Sequence, residues 1–63
     1  MTVWVLVMHL LMADGSVITA TEDVQAATVE ACLDVGRIKL EELHVRYTES
    51  TSGLHFCIKK EDG

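Results

Sequence analysis

Three histidines and two cysteines are the side chains of this 63-residue sequence that could support metal or thiol chemistry. His55 and Cys57 are two residues apart, so they would share one side of a strand. Structural zinc needs four ligands, and a catalytic thiol needs a base and an orienting group around a cleft. His44 would lie diagonally across from Cys57, whereas His9 and Cys32 belong to other elements. The sequence therefore predicts no metal, no cofactor and no enzymatic activity, with a thiol or metal site at His55 and Cys57 as the minor alternative.

The two cysteines could instead bond to each other. A Cys32–Cys57 disulfide would stabilise so small a domain by about 2–4 kcal/mol. The strand register proposed below opposes it, because Cys57 would point away from the helix that carries Cys32. The sequence also lacks a basic region before its first apolar run and a small-residue cleavage site after it, so we expect a cytoplasmic protein with reduced thiols. From the sequence alone, both the disulfide and the reduced thiols stay open.

These side chains must be positioned around the first apolar run, residues 3–12, which carries no formal charge. As a strand it presents alternate residues to opposite sides, and both sides are apolar. The first side consists of Val3, Val5, Val7, His9 and Leu11. The second consists of Trp4, Leu6, Met8, Leu10 and Met12. At ten residues the run is too short to span a membrane, which takes about 20.

One helix can cover only one side of this strand, so the other side is expected to be an interface. We assign the interface to the second side (Trp4, Leu6, Met8, Leu10, Met12), because Trp and Met are enriched where proteins meet. The opposite assignment, with the valine side outward, stays open. His9 is either satisfied by a local partner or placed at a subunit interface, where its protonation would alter association.

The remaining elements follow from turn, cap and alternation signals. Asp14-Gly15 predicts a two-residue type I′ turn that pairs Met12 with Val17. A helix is expected from about 22 to 42, capped by Thr19 and Glu22, with an alternative end at Val35.

The tail alternates over 44–49 and 54–59 around a turn at 50–53, which predicts a second hairpin. Its apolar side, expected under the helix, consists of Val45, Tyr47, Leu54, Phe56 and Ile58. The first strand, being much longer than the second, should lie centrally. The sequence predicts one small α+β domain over 1–63 with the order β-β-α-β-β: a four-stranded, mainly antiparallel sheet with one helix packed on one face.

Charge is distributed unevenly along the chain. The net charge is −5, and residues 1–36 contain no Lys or Arg. A phosphate backbone requires basic residues, so we expect no direct nucleic-acid binding and no membrane binding. An acidic surface can instead meet a basic protein. The residues assigned to that contact lie in the expected helix: Glu22, Asp23, Glu30 and Asp34.

The spacing of Trp4, Gly15, Cys32, Gly36 and Cys57 resembles small phage- and prophage-encoded proteins of unknown function. The resemblance implies a ββα-type core, a helix that contains Gly36 and, in some members, a disulfide. By analogy, small acidic phage proteins are often inhibitors or decoys of host proteins, including anti-CRISPR proteins. The expected function is a small acidic interaction protein, self-associating as a dimer and acting as such an inhibitor or decoy. The alternative is a purely structural homo-oligomer subunit without an external ligand.

Overall fold

The computed structural model describes residues 2–60, which form three strands and one helix. The elements are β1 (Thr2–Met12), β2 (Val17–Ala26), α1 (Val29–Arg46) and β3 (Ser50–Lys59). The strands form an antiparallel sheet in the order β2-β1-β3, and α1 packs across one face. The central position predicted for the first strand is confirmed. None of the described residues forms a helix long and apolar enough to cross a membrane.

The predicted fourth strand, residues 44–49, does not exist, so the four-stranded prediction is wrong. Helix α1 continues to Arg46, and the backbone N–H of Tyr47 caps it by donating to the Leu43 carbonyl at 2.8 Å. His44 and Arg46 lie in the last turn, where a helix favours cationic side chains. The element order is therefore β-β-α-β with a three-stranded sheet.

The predicted helix start is also wrong, because Thr19 and Glu22 lie within β2. The register pairs Thr2 with Ala26, so β2 runs along almost the whole of β1. A shorter β2 would leave backbone groups of β1 without partners, which costs free energy. The helix begins instead after Thr28, whose side-chain hydroxyl accepts a hydrogen bond from the Ala31 N–H at 3.2 Å.

The turn at Asp14-Gly15 is longer than the predicted two-residue turn. Leu11 pairs with Val17, one residue out of the predicted register. Gly15 has a positive φ of 89°, but Asp14 does not, which excludes the type I′ geometry. The Asp14 carboxylate instead accepts hydrogen bonds from the Ser16 backbone N–H at 2.9 Å and the Ser16 hydroxyl at 2.6 Å. A local side-chain contact thus replaces the expected backbone conformation.

These contacts make the turn sensitive to acid. Hydrogen bonds from the Ser16 hydroxyl and backbone N–H hold the pKa of the Asp14 carboxyl below its ordinary value. Because the folded-state pKa lies below the unfolded-state pKa of about 4, ionisation of this carboxyl stabilises the fold at pH values above about 4. This stabilisation is lost as the pH falls through the folded-state pKa. We therefore expect Asp14→Ala to lower the Tm at pH 7, with a smaller difference from wild type at pH 2.5. Thermal melts of wild type, Asp14→Ala and Ser16→Ala test this, and an equal Tm difference at both pH values would contradict it.

The core lies between the sheet and α1. Strands β1 and β2 and helix α1 contribute its buried residues: Leu6, Met8, Val24, Ala26 and Cys32. Leu10 is also fully buried. The indole N–H of Trp4 donates to the Ala26 carbonyl at 3.0 Å, which satisfies its polar atom beside the core.

Helix α1 approaches the sheet most closely at Gly36, which is buried. A Cβ atom at this position would lie 2.6 Å from His55 Cδ2 and 2.6 Å from Leu6 Cδ1. Both distances are shorter than carbon atoms tolerate, so the present helix position requires a residue without a side chain. Cys32 lies one turn earlier on the same side of α1, since residues four apart share a helix face.

Candidate interaction surface

The candidate thiol site is occupied by a disulfide bond. Cys32 and Cys57 are bonded, with their Cα atoms 6.4 Å apart. The predicted orientation of Cys57 is wrong, because β3 pairs with β1 and places Cys57 opposite Leu6, on the helix side of the sheet. His55 lies on the same side. The half-buried Cys57 and fully buried Cys32 therefore join the edge strand β3 to the helix rather than forming a reactive pair.

The three histidines lie apart from one another, each with its own hydrogen-bond partner. His55 Nε2 donates a hydrogen bond to the Leu33 carbonyl of α1 at 3.0 Å, and His44 Nδ1 forms a hydrogen bond with the Ser50 hydroxyl at 2.6 Å. On the opposite side of the sheet, His9 Nδ1 forms a hydrogen bond with the Thr19 hydroxyl at 2.9 Å. Over residues 2–60, no group of three His, Cys, Asp or Glu side chains is arranged to hold a metal ion.

The acidic residues assigned to a basic partner do not form one surface. They were Glu22, Asp23, Glu30 and Asp34. Because α1 begins at Val29, the first two lie on β2, where adjacent residues point to opposite sides of the sheet. Glu22 is ion-paired with Lys39 at 3.0 Å, and Asp23 with Lys60 at 3.0 Å. Asp34 lies 4.0 Å from Arg37 on the exposed helix surface. The predicted acidic helix face is thus divided between two elements and partly neutralised.

The residues assigned to the interface belong mainly to the core instead. They were Trp4, Leu6, Met8, Leu10 and Met12. Leu6 and Leu10 have no exposed surface, and Met8 is buried beside them. The small residues Cys32 and Gly36 on the facing side of α1 leave room for these long side chains. The structure therefore selects the alternative orientation, with the Trp4 side under the helix.

We call the opposite side of the sheet the open face. On β1 it carries Val3, Val5, Val7, His9 and Leu11. The register adds Leu54, Phe56 and Ile58 from β3 and Val17, Thr19, Thr21, Asp23 and Gln25 from β2. Among residues 2–60, no helix or strand lies over this side. Three strands of about nine residues present ~400 Å² in projection, and a contiguous exposed apolar patch of a few hundred Å² can mark an interaction site.

The open face is divided lengthwise by polarity. Its β1 and β3 residues are almost all apolar, whereas β2 contributes mostly threonine, aspartate and glutamine. His9 is the polar exception on β1, and its ring is tilted against that of Phe56 at a centroid distance of 5.9 Å. The apolar part of the face therefore covers about two thirds of its width.

A depression of about 340 Å³ lies on the open face near the β1–β2 turn. Its lining consists of His9, Leu11, Val17, Ser52, Gly53 and Leu54. Phe56 is 39% exposed and stands on β3 next to Leu54 along the same side. The hollow and the Phe56 ring therefore lie on the same side of the sheet.

Searches against family models, curated proteins and solved structures found no match to this chain. Its function must therefore be inferred from the geometry of the surfaces described above.

A second hollow of about 250 Å³ lies on the helix side, between α1 and β2. Its floor includes Met8, Ala20 and Leu43, and the Glu22–Lys39 ion pair lies at its border. The hollow is smaller than typical ligand pockets, which start near ~300 Å³. The open face is the stronger candidate because it is larger and more apolar.

The apolar residues of β3 on the open face were not recognised from the sequence as an interaction surface. Their alternation correctly indicated that Leu54, Phe56 and Ile58 share one side of a strand. The assumed pairing with residues 44–49 then directed that side towards the helix. The signal was present in the sequence, but its orientation depended on which strand pairs with β3.

Proposed function

We propose that this chain is a small non-enzymatic interaction protein that forms a homodimer by packing the open faces of two copies together. The observation that carries the proposal is the apolar area of β1 and β3, which none of the described elements covers. Two sheets can pack face to face about 10 Å apart, with their side chains interdigitating. A two-fold axis would cover the same surface on both copies in one contact.

Two exposed isoleucines provide a matched test of the proposed surface. Ile58 lies on the open face and is 53% exposed, whereas Ile38 lies on the solvent side of α1 and is 57% exposed. We expect Ile58→Lys to convert a dimer of 7.0-kDa chains into monomers, because it would bury two charges in an apolar interface. Ile38→Lys should leave the dimer unchanged. Sedimentation velocity over a range of protein concentrations measures both.

Two results would contradict the proposal. The first is a wild-type chain that stays monomeric up to millimolar concentration. The second is an equal loss of self-association in Ile38→Lys and Ile58→Lys, which would indicate a general charge effect. Circular dichroism of each variant verifies that the fold is retained.

The acidic residues give less support to a basic partner or to an inhibitor of a host protein. Glu22 and Asp23 are each engaged by a lysine, and they point to opposite sides of β2. We therefore place the function on the open face rather than on charge.

A further inference from the structure

We infer that the Cys32–Cys57 disulfide is a redox switch that controls the attachment of β3 to the rest of the fold. Reduction by a dithiol releases residues 54–59 from β1, while β1, β2 and α1 keep their structure. The released edge of β1 then presents its backbone N–H and C=O groups to solvent. This inference does not depend on the proposed function, because it concerns how one chain is held together.

Strand β3 contributes little to the core apart from its cysteine. Among residues 2–60, the buried side chains come from β1, β2 and α1, and none comes from β3. Cys57 is the β3 residue that packs against the core, and His55 adds one hydrogen bond to the Leu33 carbonyl of α1. A segment with few buried apolar contacts has a low free energy of local opening. The disulfide therefore supplies much of what holds β3 to α1.

The other side-chain contacts of β3 lie towards its ends. At its start, the Thr51 hydroxyl donates to the Leu11 carbonyl at 3.2 Å. Just beyond its end, Lys60 is ion-paired with Asp23, but both side chains are at least half exposed and such pairs contribute little. Cys57 lies between these ends. Loss of its bond therefore acts mainly on residues 54–59.

Burial determines which sulfur a reductant attacks. Cys32 has no exposed surface, whereas Cys57 is half-buried on an edge strand. A thiolate of the dithiol bonds to Cys57 Sγ, the bond between the two cysteines breaks, and its electron pair stays on Cys32 Sγ, which takes a proton. The second thiolate then displaces Cys57 from the mixed disulfide, and Cys57 takes the other proton. Two electrons and two protons pass to the protein, and the dithiol is oxidised to a disulfide.

The backbone of β1 reports separately on its two neighbours. The Lys60 N–H donates to the Val3 carbonyl at 3.0 Å, and the Met12 N–H donates to the Ser16 carbonyl at 2.8 Å. Hydrogen-bonded pairs alternate along an antiparallel ladder. With the two registers, this alternation assigns one set of β1 amides to β3 and the other to β2. The β3 set includes Val5, Val7 and His9, and the β2 set includes Leu6, Met8 and Leu10.

Amide hydrogen exchange resolved by NMR tests the release of β3. Addition of dithiothreitol to the wild type should accelerate exchange of the β3 set at least about tenfold more than that of the β2 set. Cys57→Ser is the matched control, because it removes the bond but leaves Cys32 in the core. This variant should show the same pattern without reductant and no further change with it.

Two exchange results would overturn the release of β3. Equal acceleration of both sets would show that reduction destabilises the whole fold. Unchanged exchange in fully reduced protein would show that β3 stays attached without the bond. Either result leaves the proposed function standing, since that is decided by self-association of the oxidised chain.

A second measurement starts from the folded, oxidised protein and does not require the reduced chain to stay folded. A brief reaction with glutathione, followed by acid quenching and peptide mass spectrometry, locates the first mixed disulfide. We expect glutathione on Cys57. Glutathione mainly on Cys32 would overturn the switch as described, because a reductant could reach that sulfur only after the core had opened.

Discussion

Replacing Gly36 with valine is expected to remove much of the protein's free energy of unfolding. The first added carbon would lie 2.6 Å from a fully buried Leu6 and 2.6 Å from the ring of His55, which is held by its hydrogen bond to Leu33. Overpacking of this kind costs about 1–3 kcal/mol or more, and a domain of this size has only about 3–5 kcal/mol available. Urea denaturation followed by circular dichroism measures the loss.

Gly36→Ala separates this close approach from intrinsic helix propensity. In an exposed helix the change would stabilise by about 1 kcal/mol. Here we expect a net loss of stability, because the contacts with Leu6 and His55 outweigh the propensity gain. Arg37→Val, at the exposed next position, reports the cost of a β-branched residue without the contact. A Gly36→Ala variant more stable than wild type would show that the helix does not approach the sheet this closely.

Removing the disulfide is expected to lower the stability by an amount at least as large. The bond closes a loop over a sequence separation of 25 residues, which corresponds to about 3.5 kcal/mol of stabilisation in the chain-entropy model. We expect the double variant Cys32→Ala, Cys57→Ala to lose about this much free energy of unfolding in urea. Because Cys32 is fully buried, the smaller alanine side chain adds a packing loss.

A reductant provides the control for this experiment. It should destabilise the wild type to a similar extent but leave the double variant unaffected, since that variant has no bond to reduce. Titration of the native wild-type protein should find no free thiol. Two titratable thiols in protein purified without reductant, or equal stability of oxidised and reduced forms, would contradict the prediction.

The parts of the fold that depend on residues close together in the sequence could be predicted from it. The continuous apolar run of residues 3–12 indicated a strand that is apolar on both sides. The central position of this strand was predicted correctly, but from the wrong premise that the second strand is much shorter, whereas β2 pairs with almost all of β1. One helix across one face was likewise predicted, and the open face of β1 is the valine side that had been left as the alternative. The alternation of residues 54–59 correctly grouped the apolar side chains of β3.

The errors arose where distant residues decide the local structure. Thr19 and Glu22 match a helix cap, but pairing with the backbone of β1 holds them in a strand. Residues 44–46 alternate like a strand, yet they pair with neither edge of the sheet and form the last turn of the helix instead. Whether Cys57 could reach Cys32 depended entirely on the pairing of β3 with β1, which sequence spacing does not specify. The candidate surface was misplaced for the same reason.

The central position of β1 also determines the order in which the chain can fold during synthesis. Its partner β2 follows after a short turn, so that this hairpin can close as soon as both strands have left the ribosome. The other edge of β1 stays unpaired until β3 has been made, since Trp4 pairs with Lys59. Contacts between such distant residues form slowly, and unpaired strand edges aggregate. The apolar strand β1 is therefore made before β3 and is fully paired only after β3 has been made, so the interval between the two is the stage at which aggregation is most expected.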